Sequence, residues 1–427
     1  MSMNRREFVK LFGYGAAVSA AALSGCAVPE ATRTKARVVV IGGGWGGTTA
    51  AKYIRMWAPE IEVTLVESNP FFTSCPISNW VIGGLMSLAE ATRSYEGLSR
   101  RHGVRLVQDE AVEVDPVNRR VRLAKGETLS YDRLIVGPGI DFMYETLPGL
   151  NNAAAQAIVL HAWKAGPQTE GLRKQLEAMR DGGVYAIHIP LAPYRCPPGP
   201  YERATLVANY FKKRKPKSKV LILDANPDIV SKKGLFEAAW RDLYKGMIEY
   251  RPNSELVDVD ATTLTARLQF DNVKADVLNV SPPQTSDRIA HQAGLVTANK
   301  RWCEINWLTM ESVAQKNIHV IGDSTLSAPA MPKSGHMANQ HGKLCADAVI
   351  ALLTGRPVNP EPMIANTCYS LVSDTEAMHV ASVHRYDPAQ KTMVPVKGAG
   401  GVSKERNALE KAITESWARN IWDDMLG

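Results

Sequence analysis

An α/β fold is predicted by three features of the 427-residue sequence. A short, apolar, β-branched run at 37–41 is typical of a buried parallel strand, and a glycine-rich turn, a helical segment and a second strand follow it. A second unit of helices and strands begins near Ala154, and a third, smaller region contains Trp417 and Trp422. We therefore expect two Rossmann-like domains, the second of them degenerate, and a small C-terminal α+β domain.

The turn after the first strand carries glycines at the spacing G-x-G-x-x-G. In this pattern Gly42 makes a tight turn, Gly44 lets the backbone approach a pyrophosphate, and Gly47 lets the helix pack closely on the strand. The second strand, 61–66, is followed by Glu67, whose carboxylate can accept a hydrogen bond from a ribose hydroxyl. Glycines alone also suit an ordinary loop, but strand, glycines, helix, strand and acid in register predict a dinucleotide site.

A second motif, in the last third of the chain, indicates which dinucleotide is bound. The run 318–323 has the pattern of a strand ending in Gly-Asp, and the carboxylate of Asp323 can accept a bond from a ribityl hydroxyl. With the first motif this favours FAD over NAD, so 35–150 and 286–357 are predicted to form one FAD-binding domain. Lys333 precedes a further helix, and by analogy with the fold we expect it to stabilise negative charge on the reduced flavin.

The second Rossmann-like domain, predicted over 151–285, is a degenerate NAD-type domain. Its strand 184–189 is followed by the loop 190–200, which contains one glycine and five prolines. Such a loop cannot make the close approach that a pyrophosphate needs, although Asp224 ends the next strand where a ribose-binding acid would stand. We expect this domain to keep the fold without a nicotinamide site, and we assign 358–427 to a C-terminal interface domain.

The N-terminus has the features of an export signal. Residues 4–10 read Asn-Arg-Arg-Glu-Phe-Val-Lys, and the apolar run that follows is too short to span a bilayer. Residues 1–25 are therefore predicted to be a twin-arginine signal peptide that directs the protein to the periplasm. Residues 23–26 match a bacterial lipobox, which predicts a lipid anchor at Cys26, although a signal that ends in small residues and a chance cysteine would look the same.

Composition and charge exclude several classes of protein. Hydrophobic residues make up 45% and charged residues 22% of the chain, as in ordinary globular proteins, and no apolar run is long enough for a transmembrane helix. The net charge is +7, but basic residues cluster only at 212–217, where a helix end and a solvated turn account for them. Nucleic acid is therefore not an expected partner. The sequence has no C-x-x-C-H, C-x-x-C or zinc-ligand spacing, so no metal site is predicted.

The cysteines number six, and they are Cys26, Cys75, Cys196, Cys303, Cys345 and Cys368. If Cys26 is lipidated, five remain in an oxidising compartment, so at least one has no disulfide partner. Cys303 and Cys345 lie among apolar residues and are expected to be buried.

The remaining cysteines are candidates for chemistry. Cys75 lies shortly after Glu67, where the chain can pass under an isoalloxazine ring. Cys196 lies between Arg195 and the start of a helix, and both are expected to lower the pKa of its thiol. Spacing alone leaves open whether Cys196 and Cys368 form an ordinary structural disulfide.

Five segments together closely resemble the flavoprotein subunit of flavocytochrome c sulfide dehydrogenase. They are the glycine turn and the runs Cys-Pro-Ile-Ser-Asn at 75–79, Tyr-Arg-Cys-Pro-Pro-Gly-Pro-Tyr-Glu-Arg at 194–203, Met-Pro-Lys-Ser-Gly at 331–335 and Asn-Thr-Cys-Tyr-Ser at 366–370. The resemblance extends over nearly the whole chain after the signal. It implies FAD bound through its 8α-methyl group to Cys75, a redox-active disulfide between Cys196 and Cys368, and a separate c-type cytochrome as the partner in a heterodimer.

The activity implied by this resemblance is sulfide:cytochrome c oxidoreduction. Hydrosulfide would attack one sulfur of the disulfide, leaving a persulfide on one cysteine and a thiolate on the other, and two electrons would pass to FAD. The electrons would then pass singly to the partner haem, with sulfur or polysulfide as the product. A reductant that arrives as sulfide explains a nicotinamide-type domain without a nicotinamide site.

Two alternative functions are also consistent with a flavin fold. A sulfide:quinone oxidoreductase shares the two-domain fold and a cysteine pair, but it needs an apolar C-terminal surface for the membrane, and residues 401–427 are highly charged. A non-catalytic, lipid-anchored flavin-binding subunit would bind FAD without being reduced by sulfide.

Overall fold

The computed structural model describes residues 35–427, so the predictions for the signal segment 1–25 and for Cys26 lie outside the described residues. The strands, numbered in chain order, are β1 Arg37–Ile41, β2 Glu62–Glu67, β3 Phe71–Thr73, β4 Thr92–Ser94, β5 Arg105–Gln108, β6 Ala111–Asp115, β7 Arg120–Leu123, β8 Thr128–Ser130, β9 Arg133–Val136, β10 Ile140–Phe142, β11 Val184–Ile189, β12 Lys219–Asp224, β13 Ile248–Arg251, β14 Leu256–Asp260, β15 Thr265–Leu268, β16 Asn272–Lys274, β17 Val277–Val280, β18 Gln284–Ser286, β19 Ile318–Val320, β20 Met363–Leu371, β21 Ala377–Asp387 and β22 Thr392–Val402. The helices are α1 Trp45–Trp57, α2 Ser78–Ile82, α3 Glu96–His102, α4 Ala153–Ile158, α5 Pro167–Ala178, α6 Gly199–Arg214, α7 Lys233–Leu243, α8 Arg288–Gln292, α9 Gly335–Thr354 and α10 Ala408–Leu426.

The first parallel sheet has the strand order β19–β9–β1–β2–β5. Val38, Val39 and Val40 of β1 are buried at its centre, as expected of a strand that is covered on both faces. β19 comes from the last third of the chain and pairs in parallel with β9. Two segments far apart in sequence therefore share one sheet, as the two flavin motifs predict.

Helix α1 begins at Trp45, earlier than the apolar pattern from residue 48 suggests. The carbonyl of Gly44 accepts hydrogen bonds from the backbone N–H of Thr48 at 3.1 Å and from its hydroxyl at 2.8 Å, which closes the first turn. The two glycines of that turn are weak helix formers, but Trp45 is buried, and tertiary packing overrides the propensity.

The second parallel sheet has the strand order β13–β12–β11–β17. β11 has the predicted bounds, and β12 ends on Asp224 as expected. Helix α6 follows the proline-rich loop and begins at Gly199 with a proline in its first turn, a position where the missing N–H costs nothing.

The third region is an antiparallel sheet, β20–β21–β22, with helix α10 packed against it. Charged residues lie along α10, while Ile421, Trp422 and Met425 on its other side are buried. Among residues 35–427, no helix has the length and apolar character needed to span a bilayer. Two parallel sheets and a C-terminal α+β region confirm the predicted fold class.

Candidate active site

A cavity of about 580 Å³ opens at the carboxyl ends of β1 and β2, where parallel sheets bind nucleotides. Its volume lies within the usual range of roughly 300–1,000 Å³ for ligand sites. The predicted residues in its wall are Gly42, Gly44, Glu67 and Cys75. The structure therefore brings these four residues together around one cavity.

Gly42 and Gly47 have the turn and packing roles that the sequence predicts, and the role of Gly44 toward a pyrophosphate stays a prediction. Gly42 has a φ of +98°, which L-residues rarely adopt, and it makes the tight turn. A Cβ on Gly47 would lie 1.9 Å from the carbonyl oxygen of Gly42, so only glycine lets α1 pack on this turn. A Cβ on Gly44 would meet nothing within 4 Å, because this residue faces the open cavity. Gly47 is thus a packing residue, and Gly44 leaves room for a ligand.

Glu67 is fixed by the backbone around it. One carboxylate oxygen accepts a hydrogen bond of 2.7 Å from the N–H of Gly43, and the other accepts one of 2.8 Å from the N–H of Asn69. These bonds hold the carboxylate at the cavity wall, where a ribose hydroxyl could donate to it.

Cys75 lies between β3 and α2, and it lines the same cavity. The thiol is 3.0 Å from the carbonyl oxygen of Trp163, to which it donates. The guanidinium of Arg195 donates to the Cys75 sulfur at 3.0 Å, and it also contacts the Trp163 carbonyl. Arg195 therefore interacts with Cys75. The sequence predicts that it acts on Cys196, its neighbour in the chain.

Cys196 and Cys368 line a second, smaller cavity of about 30 Å³. Cys196 precedes α6 with a left-handed φ of +59°, and its N–H donates to the carbonyl of Lys333 at 2.7 Å. Cys368 lies on β20, 3.3 Å from the side-chain amide of Asn366. All five cysteines among residues 35–427 are free thiols in this structure, so the disulfide implied by the resemblance stays a prediction.

The predicted lowering of the Cys196 pKa is wrong. Burial raises the pKa of the Cys196 thiol well above its usual value, and negative charge on Cys368 and Glu202 adds to this effect. Arg195 opposes the shift but does not overcome it, because its guanidinium is directed to Cys75. A helix start and an adjacent arginine are local features, and burial outweighs both.

Glu202 is a buried residue in the wall of the smaller cavity. The sequence did not identify it as a site residue. Its carboxylate accepts hydrogen bonds from Asn79 at 2.9 Å, Trp80 at 3.3 Å and the N–H of Leu371 at 2.9 Å. Burial raises its pKa above the usual value. The only signal in the sequence is its place in the specific run 194–203.

Asp323 and Lys333 both follow β19, and they are in contact with each other. The ammonium of Lys333 donates to the carbonyls of Asp323, at 2.9 Å, and of Thr325, and it lies 3.8 Å from the ring centroid of Trp302. Burial lowers the pKa of Lys333 to about 8. Burial raises the pKa of Asp323, and the positive charges of Arg195 and Lys333 oppose that shift. The role of these two residues toward a flavin stays a prediction.

Asp224 in the second domain cannot act as a ribose acceptor in this structure. Its side chain is fully buried and accepts hydrogen bonds from the hydroxyls of Tyr201 at 2.6 Å and Tyr250 at 3.1 Å. Its other oxygen accepts the N–H of Asn226 at 2.9 Å. The protein's own side chains thus satisfy the group that a nicotinamide nucleotide would need.

These features define a class of protein. The first domain offers a glycine turn, an acid and a cavity that Gly44 leaves open, and FAD fits that donor set and volume. The second domain keeps the sheet but has its nucleotide acid engaged internally. The chain is a flavoprotein of the type that has two dinucleotide-binding domains.

Comparisons with known proteins identify the family. Residues 169–282 match the family described as "Sulfide dehydrogenase [flavocytochrome c] flavoprotein chain, central", and residues 360–426 match "Flavocytochrome c sulphide dehydrogenase, flavin-binding". Residues 36–177 match "Pyridine nucleotide-disulphide oxidoreductase".

Individual proteins agree with these family matches. Over 45 residues the chain is 58% identical to a sulfide dehydrogenase [flavocytochrome c] flavoprotein chain of Chlorobaculum thiosulfatiphilum, which is 10% of this chain and 94% of that sequence. It is 26% identical over 337 residues to the mitochondrial sulfide:quinone oxidoreductase of Mus musculus, 75% of this chain and 72% of that one. The structure of the sulfide:quinone oxidoreductase from Aquifex aeolicus has a TM-score of 0.74 at 18% identity, covers 91% of both chains and shares the fold.

The chain belongs to the superfamily of flavocytochrome c sulfide dehydrogenase flavoproteins and sulfide:quinone oxidoreductases, and FAD is its cofactor.

Proposed function

We propose that the protein is an FAD-dependent sulfide dehydrogenase that oxidises hydrosulfide through a Cys196–Cys368 disulfide and passes the electrons to a c-type cytochrome. One observation carries the proposal: the two thiols line a small cavity that adjoins the flavin cavity. Pro76 lines the thiol cavity, and Cys75, the residue before it, lines the flavin cavity. A single peptide unit therefore separates the two sites.

The size of the thiol cavity favours a very small substrate. About 30 Å³ of space accommodates a molecule of few atoms, and its apolar walls include Ile77, Trp80 and Trp417. An organic disulfide or a thiol peptide would not enter without rearrangement. Hydrosulfide combines this small size with the nucleophilicity needed to open a disulfide.

The proposed reaction conserves atoms and electrons. The sulfur of hydrosulfide bonds to one cysteine sulfur, the disulfide bond breaks, and its electron pair leaves on the other cysteine as a thiolate. FAD, when bound in the adjoining cavity, would supply the acceptor for two electrons and would release them one at a time. Release of the outer sulfur then restores the disulfide, so one hydrosulfide yields one sulfur atom, one proton and two electrons. Glu202, whose raised pKa suits proton exchange, lies at the same cavity and could take that proton.

We further propose that FAD is attached through Cys75. The thiol of Cys75 lines the flavin cavity, and the guanidinium of Arg195 donates to its sulfur at 3.0 Å, which fixes the position of this sulfur at the cavity wall. The sequence also supports export by the twin-arginine route and a periplasmic location. A lysine pair in place of Arg5 and Arg6 should keep the protein in the cytoplasm, as fractionation would show.

The electron acceptor distinguishes two candidate activities, sulfide:cytochrome c oxidoreduction and sulfide:quinone oxidoreduction. The matches to sulfide dehydrogenase flavoprotein families over 169–282 and 360–426 support a cytochrome, whereas the longer alignments with sulfide:quinone oxidoreductases support a quinone. Sulfide-reduced protein should reduce cytochrome c rapidly and a soluble ubiquinone analogue slowly. The opposite preference would make the protein a sulfide:quinone oxidoreductase.

The function itself is tested by anaerobic titration with sulfide. One equivalent should bleach the flavin of the wild type. Cys196→Ser and Cys368→Ser should keep their flavin and be bleached by dithionite but not by sulfide. Cys345→Ala is the matched control, because Cys345 is a buried cysteine outside the thiol cavity. If sulfide does not bleach the wild type, the protein is a flavin-binding subunit without this activity, and if either serine variant is bleached at the wild-type rate, the disulfide mechanism is wrong.

A further inference from the structure

Lys232 is a buried lysine that has no role in the reaction steps proposed above. It lies in the connection between β12 and α7, and only 7% of its surface is exposed. Its ammonium donates to the hydroxyl of Ser370 at 2.8 Å and to the backbone carbonyl of Cys368 at 3.0 Å. Both acceptors are neutral oxygens, so the ammonium is held firmly without a bonded carboxylate.

The position of Lys232 is unfavourable for folding in three respects. Its φ of +55° is in the left-handed region, which a side chain disfavours. It occupies the N-cap of α7 without making a side-chain cap hydrogen bond. Burial lowers its pKa to about 8, which reflects the cost of the buried charge. Glycine or asparagine would serve this backbone position better, so the fold alone does not explain a lysine here.

The groups around the ammonium give a reason for a lysine at residue 232. The groups that favour its charge come from three elements and one loop, and they are Cys368 on β20, Glu202 on α6, Glu410 on α10 and Cys196 in the loop before α6. The other buried cations near the site are directed elsewhere. Arg195 donates to Cys75, and Lys333 donates to the carbonyls of Asp323 and Thr325. Arg203 donates to the side chains of Asn79 and Asn279. Lys232 is therefore the cation held beside Cys368.

The two cysteines are unequal as leaving groups. Asn366 and Lys232 favour the thiolate of Cys368, against the effects of burial and of the Glu202 charge. Burial and the charges of Cys368 and Glu202 oppose the thiolate of Cys196, and the ammonium of Lys232 interacts more strongly with Cys368 than with Cys196. When a disulfide opens, the sulfur that better carries negative charge leaves.

We propose that Lys232 is a positioning residue that stabilises the Cys368 thiolate, and that it thereby directs hydrosulfide to attack Cys196. The new sulfur–sulfur bond forms on Cys196, the Cys196–Cys368 bond breaks, and its electron pair leaves on Cys368 beside the ammonium. The persulfide is therefore carried by Cys196. This inference rests on the proposed sulfide dehydrogenase function.

The test locates the persulfide and compares Lys232→Gln, which removes the charge but keeps a donor, with Lys232→Arg, which keeps the charge. The matched control is Lys233→Gln, because Lys233 is the next residue, carries the same charge, is exposed and pairs with Asp228 at 2.7 Å. Oxidised holoenzyme is mixed with one equivalent of sulfide, quenched in acid, alkylated and mapped by mass spectrometry, while flavin bleaching is followed in parallel.

We expect the persulfide on Cys196 in the wild type, in Lys232→Arg and in Lys233→Gln. In Lys232→Gln the rate of bleaching by sulfide should fall about tenfold, as loss of a nearby opposite charge shifts a pKa by about one unit, and the persulfide should divide between both cysteines. Reduction by dithionite should be unchanged. Persulfide on Cys368 in the wild type, an unchanged rate in Lys232→Gln, or equal losses in the Gln and Arg variants would overturn the proposal for Lys232 alone. A wild type that forms no persulfide overturns the proposed function as well.

Discussion

The sharpest prediction contrasts two glycines of the same turn, Gly44 and Gly47. Alanine at residue 47 places a Cβ 1.9 Å from the carbonyl oxygen of Gly42, which is backbone and cannot rotate away. Glycine to alanine in a helix normally stabilises by up to about 1 kcal/mol. Here the overpacking should outweigh this gain, and we expect Gly47→Ala to lose about 3 kcal/mol of unfolding free energy.

Alanine at residue 44 should have the opposite signature. Its Cβ meets no protein atom within 4 Å, so Gly44→Ala should cost less than about 1 kcal/mol, the difference between the two residues as helix caps. The methyl group would instead occupy space at the predicted pyrophosphate position. We expect the affinity for FAD to fall at least tenfold, which corresponds to about 1.4 kcal/mol of binding free energy.

The assay measures urea unfolding by circular dichroism and bound flavin per chain for both variants. Each is compared with flavin-free wild type, because bound FAD itself stabilises the native state. The contrast would be refuted if Gly44→Ala bound flavin normally, since the pyrophosphate would then lie elsewhere. Wild-type stability of Gly47→Ala would show that the turn can relax and that the packing argument fails.

Three further predictions follow from the site. Acid precipitation should leave flavin on the wild type and on Cys345→Ala, whereas Cys75→Ala should release it; flavin in the wild-type supernatant would exclude a covalent link. Millimolar NADH should leave the flavin oxidised over minutes, because the Asp224 carboxylate is buried under tyrosine hydroxyls, and rapid stoichiometric reduction would contradict this account. The pKa of Lys232 is lowered to about 8, so its ammonium is charged below this pH and neutral above it. The rate of sulfide-driven bleaching, normalised to hydrosulfide concentration, should therefore fall as pH rises through about 8, while Lys232→Arg should stay flat; a wild-type rate without this fall would exclude a role for the lysine charge.

The site contains buried charged side chains, and burying them costs free energy of folding. This cost affects which substitutions can test the site. Lys232, Glu202 and Arg203 are all charged residue types with less than a tenth of their surface exposed. Arg203 donates to Asn79 at 3.0 Å, to Asn279 at 2.9 Å and to the carbonyl of His161 at 2.8 Å. Removing one member of such a network leaves its partners without hydrogen bonds. Substitutions that keep shape and a donor are therefore more informative than alanine at these positions.

Much of the fold and of the flavin site could be predicted from the sequence, because these features depend on local chemistry. The turn at Gly42 needs a positive φ and the packing at Gly47 needs the absence of a Cβ, and both demands are visible in the residue types themselves. The proline-rich loop at 190–200 predicts the absence of a pyrophosphate turn for an equally local reason.

Only the tertiary structure decided how the thiol site is charged. Arg195 is next to Cys196 in sequence, yet its guanidinium reaches Cys75, 120 residues away, and Lys232 reaches Cys368 over a separation of 136 residues. Burial then raises the pKa of Cys196, although its sequence neighbours favour the opposite shift. The direction of a long side chain and the depth at which it lies are set by packing between distant segments, and no pattern of neighbouring residues specifies them.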